Sequence, residues 1–80
     1  EKRYADLFGD EINVALSKLS YDFRAVVILC DIEGFSYKEI AAIIGTPIGT
    51  VMSRLSRARQ QLQKYLREYA RREGFVKNPK

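Results

Sequence analysis

The chain has 80 residues, an apolar content of 46% and a formal net charge of +4, values typical of one small globular domain and not of a disordered segment. It has no histidine and a single cysteine, Cys30, which excludes a zinc finger, an internal disulfide and catalysis by a histidine base. We therefore expect no enzyme activity, no metal and no cofactor. No apolar run approaches the roughly 18 residues of a membrane helix, so membrane insertion is not expected. The lone cysteine favours a reducing, cytoplasmic location.

The positive charge is concentrated in one part of the chain. Residues 1–46 hold five basic and eight acidic residues, a net charge of −3. Residues 47–72 hold seven basic residues and one acidic residue, a net charge of +6. A basic segment joined to a mildly acidic body predicts a polyanionic partner at one end and a different partner at the other.

The first half of the chain predicts two helices. Residues 1–9 have mixed polarity and are interpreted as a linker or arm. Asp10 is a suitable N-cap for a first helix that runs to about Lys18. A second helix is predicted after Ser20, and its broad apolar face should make it the most buried helix of the domain. That face consists of Phe23, Val26, Val27, Cys30 and Ile32.

A third helix is bounded by two glycines. Gly34 is predicted to end the second helix in the left-handed conformation, and Gly45 to end the third. Between them, Ser36 and Glu39 have the spacing of a capping box, in which each side chain accepts from the other residue's backbone N–H. The inward face of this helix is predicted to be Ile40, Ala41, Ile43 and Ile44.

The fourth helix is predicted to be long and basic. Thr46 is the expected N-cap and Pro47 the first helical residue, where its missing N–H does no harm. The helix should continue to about Arg72, with Gly74 as the stop, so that the domain covers residues 10–74 and residues 75–80 form a tail. The fold class is therefore all-α, a four-helix helix-turn-helix domain related to winged helices but without a wing. The apolar stripe of the fourth helix is Ile48, Val51, Leu55, Ala58, Leu62, Tyr65 and Tyr69.

The third and fourth helices have the layout of a helix-turn-helix, in which the second helix enters the major groove of DNA. Gly49 and Thr50 provide small residues where the backbone must approach the sugar-phosphate wall. Arginine can read guanine O6 and N7 with two hydrogen bonds. The polar side chains predicted to meet base edges are Thr50, Ser53, Arg54 and Arg57.

Other cations are placed to contact phosphates. Arg59 and Lys64 flank the predicted reading face and are expected to neutralise backbone charge. Tyr37 and Lys38 open the third helix, where a hydroxyl or ammonium group reaches a phosphate in such motifs, although simple surface exposure explains both equally well. A basic amphipathic helix by itself is more often a solvated face. The capped helix and the short break before it favour groove reading here.

Two strings in this region resemble region 4 of bacterial sigma factors, specifically the extracytoplasmic-function (ECF) group. Residues 34–41 read GFSYKEIA and residues 45–59 read GTPIGTVMSRLSRAR. The resemblance covers about residues 11–70, and the second string is far more specific than a generic helix-turn-helix pattern. Met52 stands where many members have Lys or Arg, and Lys38 where many have Glu.

The resemblance implies a domain that recognises the promoter −35 element and docks on the flap of the RNA polymerase β subunit. It also implies regulation by an anti-sigma factor and a monomeric state. By position, backbone contacts fall on Tyr37 and Lys38. The family's other DNA contacts fall on Pro47, Gly49, Thr50, Met52, Ser53, Arg54 and Arg57.

Two other functions stay open at the level of sequence. A response-regulator output domain also contains a helix-turn-helix, but it usually dimerises and lacks the Ser-Arg-Leu-x-Arg-Ala-Arg string. A protein-interaction module would use the basic helix to bind an acidic partner.

Overall fold

The computed structural model describes residues 10–72, and every regular element within that range is helical. The absence of strands between residues 10 and 72 confirms the predicted all-α, four-helix fold. Residues 1–9 and 73–80, with the predicted arm, the Gly74 stop and the tail, lie outside the described residues. The elements are α1 (Asp10–Ser17), α2 (Tyr21–Val27) with a π-helical continuation (Ile28–Ile32), α3 (Tyr37–Ile44) and α4 (Ile48–Arg72).

The core lies where α4 crosses the three shorter helices. Val26, Ile40 and Val51 are completely buried, and Leu55 is 1% exposed. These four residues come from α2, α3 and α4. Packing against the shorter helices, more than intrinsic helix propensity, therefore stabilises the long helix α4. The remaining buried residues of the cluster are Leu16, Leu19, Val27 and Ala58.

Two apolar residues that the helical pattern assigned to the interior lie on the surface instead. Ile43 of α3 is 53% exposed and Ile48 at the start of α4 is 47% exposed. On α3, Ile40 occupies the core and Ile44 is half-buried. The prediction was wrong for Ile43 because α3 makes contact through a narrower stripe than its run of apolar residues suggests.

The predicted capping of α3 is confirmed. The backbone N–H of Ser36 donates to Oε1 of Glu39 at 2.8 Å, and the N–H of Glu39 donates to Oγ of Ser36 at 3.1 Å. Gly34 and Gly45 have φ angles of 83° and 73°, the left-handed region that costs an L-residue energy. These caps fix where α3 begins and ends, and therefore the direction in which the chain enters α4.

The start of α4 differs from its prediction. The Thr46 hydroxyl is buried and forms no hydrogen bond within the described part of the chain, so Thr46 does not cap the helix with its side chain. The carbonyl of Pro47 instead accepts the N–H of Thr50 at 3.0 Å and that of Val51 at 3.3 Å. The first helical residue is consequently Ile48 and not Pro47.

The π-helical turn after α2 was not predicted. Its defining bond runs from the N–H of Glu33 to the carbonyl of Ile28 at 2.9 Å, five residues apart instead of four. Cys30 and Asp31 lie within this turn, and both contact a side chain of α4.

Candidate nucleic-acid interface

The side of α4 that faces away from the core carries small and basic residues in its first half. Gly49, Ser53 and Arg57 follow one another at four-residue intervals and are all exposed. Residues four apart lie on the same side of a helix. The opposite side holds the buried Val51 and Leu55. The predicted reading face is therefore presented to the outside by the same packing that buries the apolar stripe.

Gly49 lies in the first turn of α4, where a side chain would have room. A Cβ atom built on Gly49 meets no described atom within 4 Å, and its φ angle is not positive, unlike those of Gly34 and Gly45. Glycine in a helix is about 1 kcal/mol less favourable than alanine. Neither internal packing nor backbone conformation within the described residues requires a glycine at this position.

Arg57 is the most accessible of the predicted base-reading arginines. It is exposed and forms no ion pair within residues 10–72. Arg54 is half-buried, with 29% of its side chain exposed, and its Nη2 lies 4.0 Å from Oδ2 of Asp22. At that distance, with Asp22 well exposed, the pair is weak and screened by solvent. Neither guanidinium is enclosed in the molecule, and Thr50 beside them is half-buried.

Arg59 is placed differently from the expectation that it flanks the reading face. It follows the buried Leu55 by four positions, so it lies beside the core stripe. Its guanidinium donates to both carboxylate oxygens of Asp31, at 2.6 and 3.1 Å, and its Nη2 lies 3.6 Å from Sγ of Cys30. The hydrogen bond to Asp31 holds the pKa of Arg59 above its ordinary value, and partial burial opposes this. A smaller upward contribution comes from the Tyr37 hydroxyl.

The remaining predicted DNA contacts lie on the surface. Lys38, Pro47 and Met52 are exposed, with 51% exposure for Met52, and Tyr37 is 37% exposed. Tyr37 and Lys38 are the first two residues of α3. Their exposure makes a phosphate contact sterically accessible but does not distinguish it from plain solvation, the alternative that the sequence left open.

A second surface feature is an open groove of about 560 Å³ between α2, α3 and the flank of α4. Its walls are mostly apolar, and Tyr21 at 76% and Ile43 at 53% are the most exposed of the large hydrophobic residues that line it. Arg54 and Asp22 also line it, so the groove adjoins the predicted reading arginines. The full lining is Tyr21, Asp22, Arg24, Ala25, Ile28, Leu29, Ile43, Ile44 and Arg54. Sequence periodicity missed this groove because it assigned Ile43 to the core.

Cysteine and metal chemistry do not contribute to either surface. Burial raises the pKa of the Cys30 thiol, with a further contribution from the neighbouring Asp31 charge, so this thiol is not activated. Among residues 10–72 there is no cluster of potential metal ligands. In the same range no helix is both long and apolar enough to cross a bilayer.

A capped helix, a turn at a left-handed glycine and a second helix with an exposed polar face form the layout of a helix-turn-helix domain. The family model described as Sigma-70, region 4 matches residues 9–62. The chain belongs to this family, and its relatives place it in the ECF group. The family comprises transcription-initiation factors and not enzymes.

Similar proteins agree with this assignment. The ECF RNA polymerase sigma factor SigE of Mycolicibacterium smegmatis is 52% identical over 62 residues, which cover 78% of this chain and 24% of that protein. EcfG of Rhodopseudomonas palustris is 45% identical over 62 residues, which cover 78% of this chain and 34% of that protein. The chain thus spans about a quarter to a third of these relatives. The family match also sets aside the response-regulator alternative.

A solved structure shares the fold. The sigma factor RpoE of Bartonella quintana, crystallised in complex with the anti-sigma factor NepR, aligns with a TM-score of 0.73 and 45% identity. The alignment covers 82% of this chain and 41% of that chain.

Proposed function

We propose that this domain recognises the promoter −35 element by placing the first half of α4 in the major groove. The observation that carries the proposal is the exposed Gly49–Ser53–Arg57 face, with a glycine that no contact among the described residues requires and an arginine without an ion-pair partner among them. The net charge of +6 over residues 47–72 supports a polyanionic partner.

The residues have distinct proposed roles. Arg57 and Ser53 meet base edges, and Arg54 joins them by exchanging its weak contact with Asp22 for one with DNA. Gly49 allows the backbone close to the sugar-phosphate wall. Met52 offers an apolar contact to a thymine methyl group. This contact takes the place of the ionic contact expected from the Lys or Arg that many family members have at this position. The remaining proposed contacts, to the phosphate backbone or beside it, are Tyr37, Lys38, Pro47 and Thr50.

The groove between α2 and α3 is the proposed docking surface for RNA polymerase. Its apolar lining suits an amphipathic segment of a partner protein, and in this family the flap of the polymerase β subunit is the expected partner. Because the related RpoE was crystallised with an anti-sigma factor, we propose that this chain is also controlled by such a factor. It acts as a monomer in the bacterial cytoplasm.

The proposal is tested by binding of the 80-residue chain to duplexes selected from a random pool, with and without the polymerase flap. The logarithm of the affinity should fall linearly with the logarithm of salt concentration, with a slope of about −3 to −5, since each neutralised phosphate contributes about −0.9. A slope near zero contradicts DNA reading and favours a module that binds an acidic protein. A symmetric dimer on palindromic duplexes contradicts the monomeric mode of recognition.

A further inference from the structure

The guanidinium of Arg59 joins α4 to the π-helical turn that continues α2. It donates Nε–H and Nη2–H to the two oxygens of Asp31, on the π-helical turn, at 3.1 and 2.6 Å. The same Nη2 contacts Sγ of Cys30 at 3.6 Å. Tyr37, at the start of α3, adds a smaller upward contribution to the pKa of this group. One side chain of α4 is thus bonded to the π-helical continuation of α2.

The geometry of this contact fixes an orientation. A planar guanidinium that donates two parallel bonds to one carboxylate is held in direction as well as distance, which a point-like ammonium is not. The carboxylate itself lies within the π-helical turn, whose Glu33–Ile28 bond spans five residues. Because Arg59 lies two positions after Arg57 on the same rigid helix, any rotation of α4 that releases Arg59 also redirects Arg57.

We propose that Arg59 is a positioning residue that sets the rotation of α4 against the body and thereby aims Arg57 and Ser53 at base edges, without contacting DNA itself. This rests on the proposed promoter-reading function. The Nε–H and Nη2–H donors of Arg59 are directed at Asp31, so a phosphate that engages this edge of the guanidinium has to displace a bidentate carboxylate. The side chains of Arg59 and Asp31 are 41% and 40% exposed. A pair this accessible adds little to folding stability, so its effect should appear in DNA discrimination and not in melting.

The deciding variant is Asp31→Ala, because it frees the arginine while leaving its charge in place. If Arg59 served as a phosphate contact, removing its intramolecular competitor would leave discrimination unchanged and tighten binding. If it positions α4, the ratio of affinities for a pool-selected duplex and its scrambled version should fall, by roughly 3- to 10-fold. The ratio of the two affinities is compared, and not the affinity itself, because loss of the negative charge of Asp31 raises affinity for every duplex alike.

Arg59→Gln and Arg59→Lys complete the series. We expect both to lower the same ratio, and Arg59→Gln to leave the salt slope unchanged. A slope that falls by about 0.9, with equal losses on both duplexes, overturns the proposal because it identifies a phosphate contact. Unchanged discrimination in Asp31→Ala also overturns it. If Arg59→Gln does not fold, Asp31→Ala and Arg59→Lys still distinguish a positioning role of Arg59 from a phosphate contact.

A measurement without DNA separates this inference from the proposed function. The Nε–H proton of Arg59 should give a slowly exchanging NMR signal in the free protein, and Asp31→Ala should remove that protection. Rapid exchange in the unaltered chain refutes the bidentate contact. Failure of the unaltered chain to bind any duplex, with the protected signal present, refutes only the promoter-reading function.

Discussion

Replacing Gly49 with alanine should stabilise the fold and weaken DNA binding at the same time. A Cβ atom at this position meets no described atom within 4 Å, and the backbone is helical, so a methyl group fits the free protein without strain. An alanine there restricts the unfolded chain and suits the helix better than glycine. In the proposed complex, however, the same methyl group occupies the space needed by the sugar-phosphate wall.

The expected size follows from the position. Gly49 is the second residue of α4, where helix propensity counts for less than in the interior, so a gain of about 0.5 kcal/mol is expected. For a domain of this length, that corresponds to a rise in Tm of about 2–4 °C. The loss in DNA affinity should be about 1 kcal/mol, or roughly fivefold.

Thermal melting followed by circular dichroism and a duplex titration at fixed salt measure the two effects. Gly45→Ala is the matched control: its Cβ also meets no described atom within 4 Å, but its φ angle is 73°. That substitution should destabilise the fold by about 1–2 kcal/mol because an L-residue is strained in the left-handed region. If Gly49→Ala lowers Tm, or binds the selected duplex as tightly as the unaltered chain, then Gly49 is not required for an external contact.

Three further predictions concern the reading face, the cap and the groove. Arg57→Ala should reduce discrimination between selected and scrambled duplexes by about 1–3 kcal/mol, while Lys64→Ala should weaken binding to both duplexes evenly. If the two variants have equal effects in competition titrations, Arg57 does not read bases. Ser36→Ala should lower the free energy of unfolding in urea by about 0.5–2 kcal/mol by removing the capping box, and an unchanged midpoint would contradict its structural role. Ile43→Gln should abolish binding of a polymerase flap fragment in calorimetry and leave duplex affinity within twofold, because Ile43 is an exposed groove residue outside the proposed DNA contacts and the substitution adds no charge beside Arg54. Retained flap binding would refute the docking assignment.

Local features of this domain were predictable because their causes are local. Ser36 and Glu39 satisfy each other's backbone donors within one turn, and Gly45 adopts a left-handed φ angle that its lack of a Cβ atom permits. The apolar spacing of α4 likewise placed Val51 and Leu55 in the core and left Arg57 outside. The family resemblance extended this reading to the identity of the domain, which the family match confirmed.

The failures at helix boundaries have a physical explanation as well. Thr46 has the residue type of an N-cap, but its hydroxyl is buried in the turn and makes no hydrogen bond to a described group. The π-helical turn over Ile28–Ile32 lengthens the hydrogen-bond spacing from four to five residues within a single turn, a difference too small to alter an apolar pattern. Propensity and periodicity do not resolve either event.

The sequence by itself determined that this chain forms short capped helices, presents a basic long helix, and belongs among DNA-reading domains. Only the tertiary structure decided which arginines are paired within the domain, because that depends on carboxylates distant in the chain. Arg59 is bound to Asp31, 28 residues away, whereas Arg57 has no such partner in the described residues. A pattern with a period of 3.6 residues records which side of a helix is apolar; it contains no information on which charge of another helix comes to lie beside it.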